Sequence, residues 1–248
     1  MVLRLDVTLT DEQKTTMASI PPTSWFTQVV YRNAVSPAHP NPRLAENNEM
    51  KQAMVNDWIA KSVTGKRVLD LFSANGTFAF VAARAGAKEI VGMEYSEDRI
   101  KCAEFVAGTM HVDSKIEFKR GDVYRICEYF EKPFDVVLCL GGLYHIADPA
   151  FLLRQIHDLT RERLILQTSQ VLPHRGNRAK FVVRRKDRTG DGLTSIRDGY
   201  GTWHYSRACL HELLLHGGFN ILEERRPPWH RRRRFPWYLA NCEPIKLA

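Results

Sequence analysis

The sequence lacks the features that would assign it to a membrane or secreted class. No apolar run approaches the roughly 20 residues that a membrane-spanning helix needs, and the polar opening "MVLRLDVTLTDEQKTT" lacks the apolar centre of a signal peptide. The five cysteines are scattered and form no C-x-x-C pair, which argues against a disulfide framework and against a zinc knuckle. We therefore expect a cytoplasmic protein whose thiols are reduced.

What the sequence does contain is apolar material for one core and a surplus of positive charge. Its 248 residues are 44% hydrophobic, enough for one sizeable core, and its formal net charge is +8. The surplus is concentrated between His174 and Arg234, in "HRGNRAKFVVRRKDR" and "EERRPPWHRRRRFPW". Such a surplus favours an anionic partner such as RNA, a phosphorylated metabolite or an acidic glycan, and a solvated basic face is the alternative.

Short apolar runs alternate with helical patterns from Lys66 onward. The runs "RVLDLF", "EIVGMEY", "KIEFKR", "FDVVLCLGG" and "RLILQTS" are typical of buried strands, and helical patterns separate most of them. This alternation predicts an α/β fold with a parallel sheet covered on both faces. Two later runs, "NILEERR" and "FPWYLANCE", predict a closing hairpin. We expect a doubly wound, seven-stranded, mostly parallel sheet with a C-terminal antiparallel hairpin.

The chain is expected to divide into an N-terminal extension and one larger domain. Residues 1–49 are rich in proline and lack strong periodicity, which predicts an extended, lid-like segment. A helix is predicted over Met50–Val63, and the domain over residues 50–248. Residues 171–205 are polar, basic and glycine-rich, and we predict that they form an inserted cap over the substrate.

The turn after the first core strand, "LDLFSANGTF", indicates a cofactor. In a doubly wound sheet ligands bind beyond the carboxyl ends of the strands, and Asp70 to Gly76 occupy that place. The G-x-G-x-x-G spacing of dinucleotide loops is absent, since Phe72 and Ala74 stand where glycines are expected. Asp70 suits an ammonium better than a phosphate, and Glu94 ends the second strand where it suits ribose hydroxyls. A nucleoside that carries an amino acid and no phosphate, such as S-adenosylmethionine, fits this set.

The segments "VLDLFSANG", "VGMEYS", "GDV" and "FDVVLCLGGLYH" resemble, in order and spacing, the motifs of class I S-adenosylmethionine-dependent methyltransferases. The resemblance runs from about Lys66 to Gln167 and implies a Rossmann-like fold. It implies that the turn frames the methionine end of the cofactor, that Glu94 holds the ribose, and that the "GDV" segment faces the adenine. The predicted cofactor-binding residues are Asp70, Phe72, Ser73, Ala74, Asn75, Gly76, Glu94, Tyr95, Asp122, Val123 and Leu140.

Three further segments, "SWFTQVV", "LGGLYHIADP" and "GTWHYSRACLHELLLHGGF", resemble the branch typified by the tRNA wobble-uridine 5-oxyacetic acid methyltransferases. Those tRNA enzymes transfer a carboxymethyl group and use extra basic N-terminal residues. The segment "PPTSWFTQVVYRNAVSPAHPNP" does not match those residues, so ordinary methyl transfer is the expectation.

Methyl transfer to oxygen needs a nucleophile in line with the sulfonium and a group that takes its proton. His145 follows the fourth strand in "LYHIADP" and is the predicted general base, with His204 as a second candidate, because an imidazole titrates near neutrality. A packing or helix-capping histidine is the alternative at each position. Only Asp148 lies near the fourth strand, so we expect no metal. The predicted substrate-binding residues are Trp25, Tyr144, Arg175, Arg178 and Trp203.

The leading functional hypothesis is O-methylation of a hydroxyl on a small polar metabolite or sugar, possibly an anionic one. A second hypothesis keeps the cofactor and makes tRNA the substrate, with "RRPPWHRRRRFPWY" contacting phosphates and bases. A third is a non-catalytic regulator that binds the cofactor. Neither a membrane nor a defined oligomeric state is predicted.

Overall fold

The computed structural model describes residues 3–112, 114–169, 176–185, 199–226 and 237–246. It divides into two compact units, Met1–Asp122 and Val123–Ala248, called the first and second unit below. Seven strands belong to one mostly parallel sheet with helices, and the last two strands form an antiparallel hairpin, which confirms the predicted fold class. Among the helices described, none has the length and apolar character needed to cross a membrane.

The first unit holds three strands of this sheet. They are β3 (Arg67–Leu71), β4 (Glu89–Glu94) and β5 (Lys115–Arg120), paired in parallel in the order β3-β4-β5. The helices α3 (Thr77–Arg84) and α4 (Glu97–Thr109) follow β3 and β4. Because parallel strands end at one edge of a sheet, the residues after β3 and β4 lie near each other.

The N-terminal part of the first unit is structured and packs on α4. It contains β1 (Leu3–Arg4) paired in parallel with β2 (Val29–Val30), the helix α1 (Asp11–Ser19), and the long helix α2 (Pro42–Val63). Trp25 and Tyr31 are buried in a hydrophobic cluster that also holds Val106 of α4. This core anchors the segment that precedes the sheet.

One N-terminal prediction was wrong and another was incomplete. The sequence was expected to be extended before residue 50, but α1 is present and is stabilised by a capping box between Thr10 and Gln13. The helix predicted over Met50–Val63 is confirmed, but it begins eight residues earlier, at Pro42, because proline suits the first helical position.

The second unit holds the other four strands of the sheet. They are β6 (Phe134–Leu140), β7 (Thr160–Ser169), β10 (Phe219–Arg225) and β11 (Trp237–Pro244), in the order β10-β11-β7-β6. β6 and β7 are parallel, whereas β11 runs antiparallel to both β7 and β10. The helices are α5 (Ile126–Tyr129), α6 (Pro149–Asp158) and α7 (Arg207–His216).

The expected cap region contains regular structure where it is described. β8 (Ala179–Arg185) and β9 (Gly199–Tyr205) form an antiparallel pair in which Phe181 lies opposite Trp203. No strand was assigned within residues 171–205 from the sequence, and cross-strand aromatic contacts stabilise this strand pair. The domain limits at residues 49 and 50, and the role of residues 171–205 as a cap, stay predictions.

Candidate active site

The loop between β3 and α3 has the backbone of a glycine-rich turn without the glycines. Phe72 and Ala74 have φ values of 58° and 49°, and Gly76 has 81°. For residues with a side chain this left-handed conformation costs on the order of 1–3 kcal/mol each, so surrounding contacts must hold it. Among these contacts, Ser73 N–H donates to the Met93 carbonyl at 3.0 Å. The structure thus explains the two departures from glycine as strained positions.

Asp70 lies under this loop, buried to 1% exposure. Its Oδ2 accepts a hydrogen bond from Ala79 N–H at 3.1 Å, whereas its Oδ1 is buried and has no hydrogen-bond partner among the described residues. Burial raises the pKa of Asp70 to about 8, and the nearby Glu94 carboxylate adds to this, against the opposing effects of the Ala79 N–H and Lys51. A buried carboxyl group with one unpartnered oxygen can ionise beside an incoming cation and accept a hydrogen bond from it.

Glu94 ends β4 and holds the loop from the other side. Its Oε2 accepts from Ala74 N–H at 3.0 Å, and its Oε1 accepts from Ser96 N–H at 3.0 Å and lies 3.5 Å from Nη1 of Arg99. A carboxylate has about four acceptor positions, so three such contacts leave room for one more donor. Glu94 therefore both supports the strained Ala74 and keeps acceptor capacity.

Lys51 on α2 is a titratable neighbour of Asp70 that the sequence did not single out. Burial lowers its pKa to about 8, against the favourable charge of Asp70. Its Nζ lies 6.0 Å from the centre of the Phe78 ring at the start of α3. Lys51 lies on a separate helix, 19 residues before Asp70, so the two residues form no local sequence motif. Their proximity is seen only in the folded structure.

Two glycines bring the backbone close to the ring of Phe118. A Cβ atom at Gly76 would lie 2.7 Å from that ring, and a Cβ at Gly92 would lie 2.5 Å from it and 3.1 Å from Ser73 Oγ. Gly76 also has positive φ, so it is needed for two reasons. Gly92 is a residue that the sequence did not single out, although its place beside the loop is fixed by pairing with Asp70.

The remaining predicted cofactor residues of the first unit differ in exposure. Asn75 is buried and donates from Nδ2 to the Thr27 carbonyl at 3.1 Å. Tyr95 is 58% exposed, and the Arg120 guanidinium lies 5.7 Å from the centre of its ring. Asp122 is exposed. The structure thus collects the residues from Asp70 to Gly76 with Glu94 and leaves Tyr95 and Asp122 at the surface.

In the second unit, β6 ends at Leu140 and leads through Gly141 into a short 3-10 helix, Leu143–His145. The rings of Tyr144 and His145 lie 4.2 Å apart, and both side chains are half-buried. Burial raises the pKa of Tyr144 to about 12, so its phenol keeps its proton at neutral pH. Val123, also half-buried, begins this unit in a 3-10 turn.

β9 packs against this 3-10 helix and carries the other predicted aromatic and histidine. His204 is buried, and Trp203 stacks on Tyr205 with ring centres 6.1 Å apart. The Ser169 hydroxyl at the end of β7 donates to the Trp203 carbonyl. The second unit therefore brings β9 and the segment of Tyr144 and His145 together.

Three further residues that the sequence singled out make structural contacts. Trp25 has 0% exposure and packs edge-on against Phe105, so it contributes to the hydrophobic core, and its assignment to a substrate pocket stays a prediction. Arg178 is exposed and bonds through its backbone to Ser206. Asp148 caps α6 by accepting from Phe151 N–H at 2.9 Å. Arg175 and the arginine run at residues 231–234 lie outside the described residues.

Comparison with known proteins finds a match to a methyltransferase domain in the chain. Residues 62–182 match a family model described as a methyltransferase domain. A ubiquinone biosynthesis O-methyltransferase of Neisseria meningitidis is 33% identical over 97 residues, which are 39% of this chain and 40% of that protein. A tRNA U34 carboxymethyltransferase of Helicobacter acinonychis is 33% identical over 111 residues, 44% of this chain and 42% of that protein. The chain thus spans about two fifths of the length of these relatives.

Solved structures share the fold across most of the chain. The N-terminal domain of EvdMO1 with SAH bound superposes with a TM-score of 0.67 at 20% identity, covering 96% of this chain and 98% of that one. The magnesium protoporphyrin IX methyltransferase of Synechocystis with bound SAM has a TM-score of 0.59 at 18% identity and covers 80% of each chain.

The chain thus contains a match to a methyltransferase domain, and it shares the fold of solved structures that hold SAH or SAM. S-adenosylmethionine is the cofactor that these matches indicate, and the first unit fits it in two respects. The unpartnered Oδ1 of Asp70 can accept from an amino-acid ammonium, and Glu94 keeps acceptor capacity for a hydroxyl. One of the matched relatives is a tRNA U34 carboxymethyltransferase, and three segments of the sequence resemble the branch of tRNA wobble-uridine enzymes.

Proposed function

We propose that the protein transfers a methyl group from S-adenosylmethionine to a hydroxyl of a small polar molecule, with His145 as the general base. The observation that carries this proposal is the packing of β9 on the 3-10 helix Leu143–His145. That packing brings an imidazole, a neutral phenol and the indole of Trp203 into one part of the second unit. An imidazole supplies a base near neutral pH, and aromatic faces suit a ring-shaped acceptor.

The first unit supplies most of the cofactor residues in this proposal. Asp70 would accept from the ammonium of the methionine end, Glu94 would accept from the ribose, and the backbone from Ser73 to Gly76 would help to hold the cofactor. Asp122 and Val123 are assigned to the adenine and Leu140 to the methyl-bearing end, as the resemblance to the class implies. When bound, the cofactor supplies the methyl group; the protein positions the acceptor and removes its proton.

The comparisons support a small hydroxylated acceptor. Relatives are named as ubiquinone biosynthesis O-methyltransferases, and the EvdMO1 domain that covers nearly the whole chain was also crystallised in the presence of SAH and D-fucose. A sugar or phenol hydroxyl has no charge to provide tight binding, so stacking on Tyr144 and Trp203 would contribute much of its affinity. Arg178 would contribute where the acceptor carries a carboxylate or phosphate.

A methyl-transfer assay with a panel of phenols, sugars and their anionic derivatives tests this function. With an active acceptor, His145→Gln should lower kcat by about 10²–10⁴ and leave cofactor affinity unchanged, because general-base catalysis contributes in that range. His157→Gln is the matched control, since His157 sits on α6 with Nε2 2.9 Å from the Ile245 carbonyl. Full turnover by His145→Gln, or a product methylated at nitrogen or carbon, would contradict the proposal.

A tRNA substrate is the second candidate, favoured by the matched tRNA U34 carboxymethyltransferase. Binding through several phosphate contacts should weaken by about 10³ or more between 50 mM and 200 mM salt. Filter binding of bulk tRNA at these two salt concentrations separates the candidates. Absence of binding at 50 mM salt would exclude tRNA as the substrate. Salt-sensitive binding together with methylation of the bound tRNA would contradict the small-molecule proposal and support tRNA instead.

A further inference from the structure

Two consecutive residues of the N-terminal segment, Phe26 and Thr27, contact both sides of the proposed cofactor site. On the loop side, the Thr27 carbonyl accepts from Asn75 Nδ2 at 3.1 Å, and the Thr27 hydroxyl lies 2.8 Å from that of Thr77. On the β4 side, the Arg99 guanidinium lies over the Phe26 ring, 4.6 Å from its centre. The same Arg99 pairs with Glu94.

The loop-side contacts hold a conformation that the loop would not keep alone. Thr77 Oγ1 lies 3.1 Å from Asn75 Oδ1, so Thr27, Asn75 and Thr77 form one buried polar cluster. Asn75 follows directly after Ala74, which has φ of 49°. A strained position persists only when its neighbours over-determine it, and this cluster restrains the residue next to the strain.

The contact between Phe26 and Arg99 affects the carboxylate of Glu94. Arg99 is almost completely buried, and its charge is compensated by Glu94 and by the face of the Phe26 ring. Glu94 in turn accepts from Ala74 N–H. A change at Phe26 is therefore transmitted through Arg99 to the Glu94 carboxylate.

The N-terminal segment can carry these contacts because it is anchored elsewhere. Trp25 is fully buried next to Phe26, and the Tyr31 hydroxyl lies 3.1 Å from that of Thr109 on α4. The Phe26 carbonyl accepts from Asn48 Nδ2 of α2 at 3.0 Å. Residues 26 and 27 thus belong to a packed segment and are held in place from both flanks.

From these contacts we propose that Phe26 and Thr27 are positioning residues that set the cofactor affinity of the loop and of Glu94. Neither residue is itself a catalytic group in this proposal. The inference rests on the proposed role of the loop and Glu94 in cofactor binding, and it does not depend on the identity of the methyl acceptor.

Calorimetry with S-adenosylhomocysteine tests the proposal. Thr27→Val keeps the shape of the side chain and removes the hydroxyl, so we expect Kd to rise about three- to tenfold. Thr27→Ser should restore the affinity. Phe26→Leu should also raise Kd, because it removes the ring under Arg99 and leaves an apolar side chain.

Thr109→Val is the matched control, because it removes a buried hydroxyl from the same N-terminal packing at a point away from the loop. It should lower the thermal stability about as much as Thr27→Val and leave Kd unchanged. An unchanged Kd in Thr27→Val, or an equal rise in Thr109→Val, would overturn the inference. Asp70→Asn distinguishes failure of the proposed cofactor site from failure of the positioning role. If Asp70→Asn binds S-adenosylhomocysteine as wild type does, the assigned cofactor site is wrong. If Asp70→Asn binds weakly and Thr27→Val binds normally, only the positioning role is wrong.

Discussion

Replacing Asp70 by asparagine should make the protein more stable and less able to bind its cofactor. The side chain is buried to 1% exposure, and burial raises its pKa from an ordinary value of 3.8 to about 8. Asparagine keeps an oxygen that can accept from Ala79 N–H and carries no charge to desolvate. The substitution thus removes an electrostatic penalty along with the partner of the ammonium.

The size of the effect follows from proton linkage. Between pH 3.8 and about 8 the folded state holds a proton on Asp70 that the unfolded chain releases, so stability present below pH 3.8 is lost as pH rises. The slope reaches at most about 1.4 kcal/mol per pH unit, which gives an upper limit of about 4 kcal/mol at pH 7. We expect Asp70→Asn to raise the free energy of unfolding by roughly 2–4 kcal/mol at pH 7 and to flatten this slope.

Lys51 adds a slope of the opposite sign at higher pH. Burial lowers its pKa from 10.5 to about 8, so between these values the unfolded chain holds a proton that the folded state has lost. Stability should therefore rise with pH in that window. Below pH 8, the difference in the free energy of unfolding between wild type and Asp70→Asn therefore reports the contribution of Asp70.

Urea unfolding at pH 5.0 and pH 7.5 provides the measurement, paired with calorimetry of S-adenosylhomocysteine. Asp11→Asn is the control, because the Asp11 side chain is 98% exposed on α1. This substitution should change neither the pH dependence of the free energy of unfolding nor the affinity for S-adenosylhomocysteine. The reasoning is refuted if Asp70→Asn is less stable than wild type at pH 7.5, or if the stability difference between the two proteins is the same at both pH values.

Two substitutions test the packing around the site and the cap region. Gly92→Ala should lower the free energy of unfolding by about 1–3 kcal/mol and weaken cofactor affinity, because its Cβ would lie 2.5 Å from the Phe118 ring. Thermal melts measure the change in stability. Gly108→Ala on α4 is the control, because its Cβ would meet nothing within 4 Å, and it should be neutral or slightly stabilising. Ser206→Ala should cost about 1–3 kcal/mol in urea unfolding, because its buried hydroxyl accepts from Cys209 N–H at the start of α7 and donates to the Gly176 carbonyl; a loss below about 0.5 kcal/mol would contradict that role.

The strand ends that build the proposed cofactor site were predictable from the sequence. Alternating apolar runs and helical patterns indicate parallel strands, and parallel strands bring their carboxyl ends to one edge, so Asp70 and Glu94 could be assigned together. The missing glycines were also recognised. What the sequence did not show is that Phe72 and Ala74 adopt the left-handed backbone themselves, because that strain is imposed by contacts from β4.

The N-terminal contacts could not be predicted, for a physical reason. Thr27 meets Asn75 and Thr77 across about 50 residues of chain, and such pairs leave no periodic pattern. The helix α1 is a different kind of miss: the capping box of Thr10 and Gln13 is visible in "TDEQ", although α1 has only a weak apolar face. The local capping signal predicts this helix, whereas apolar periodicity does not.

The protonated state of Asp70 implies that cofactor binding releases a proton. At pH 6.5 a pKa of about 8 leaves more than about 0.9 of the Asp70 side chains protonated, whereas an α-amino group is almost fully charged. An ammonium beside Oδ1 favours the carboxylate, so the complex should hold Asp70 ionised and release close to one proton. Calorimetry of S-adenosylhomocysteine in buffers of different ionisation enthalpy measures this number, which should fall towards zero above pH 9. Release that persists in a cofactor-binding Asp70→Asn variant, or no release in wild type at pH 6.5, would show that Asp70 is not the group that meets the ammonium.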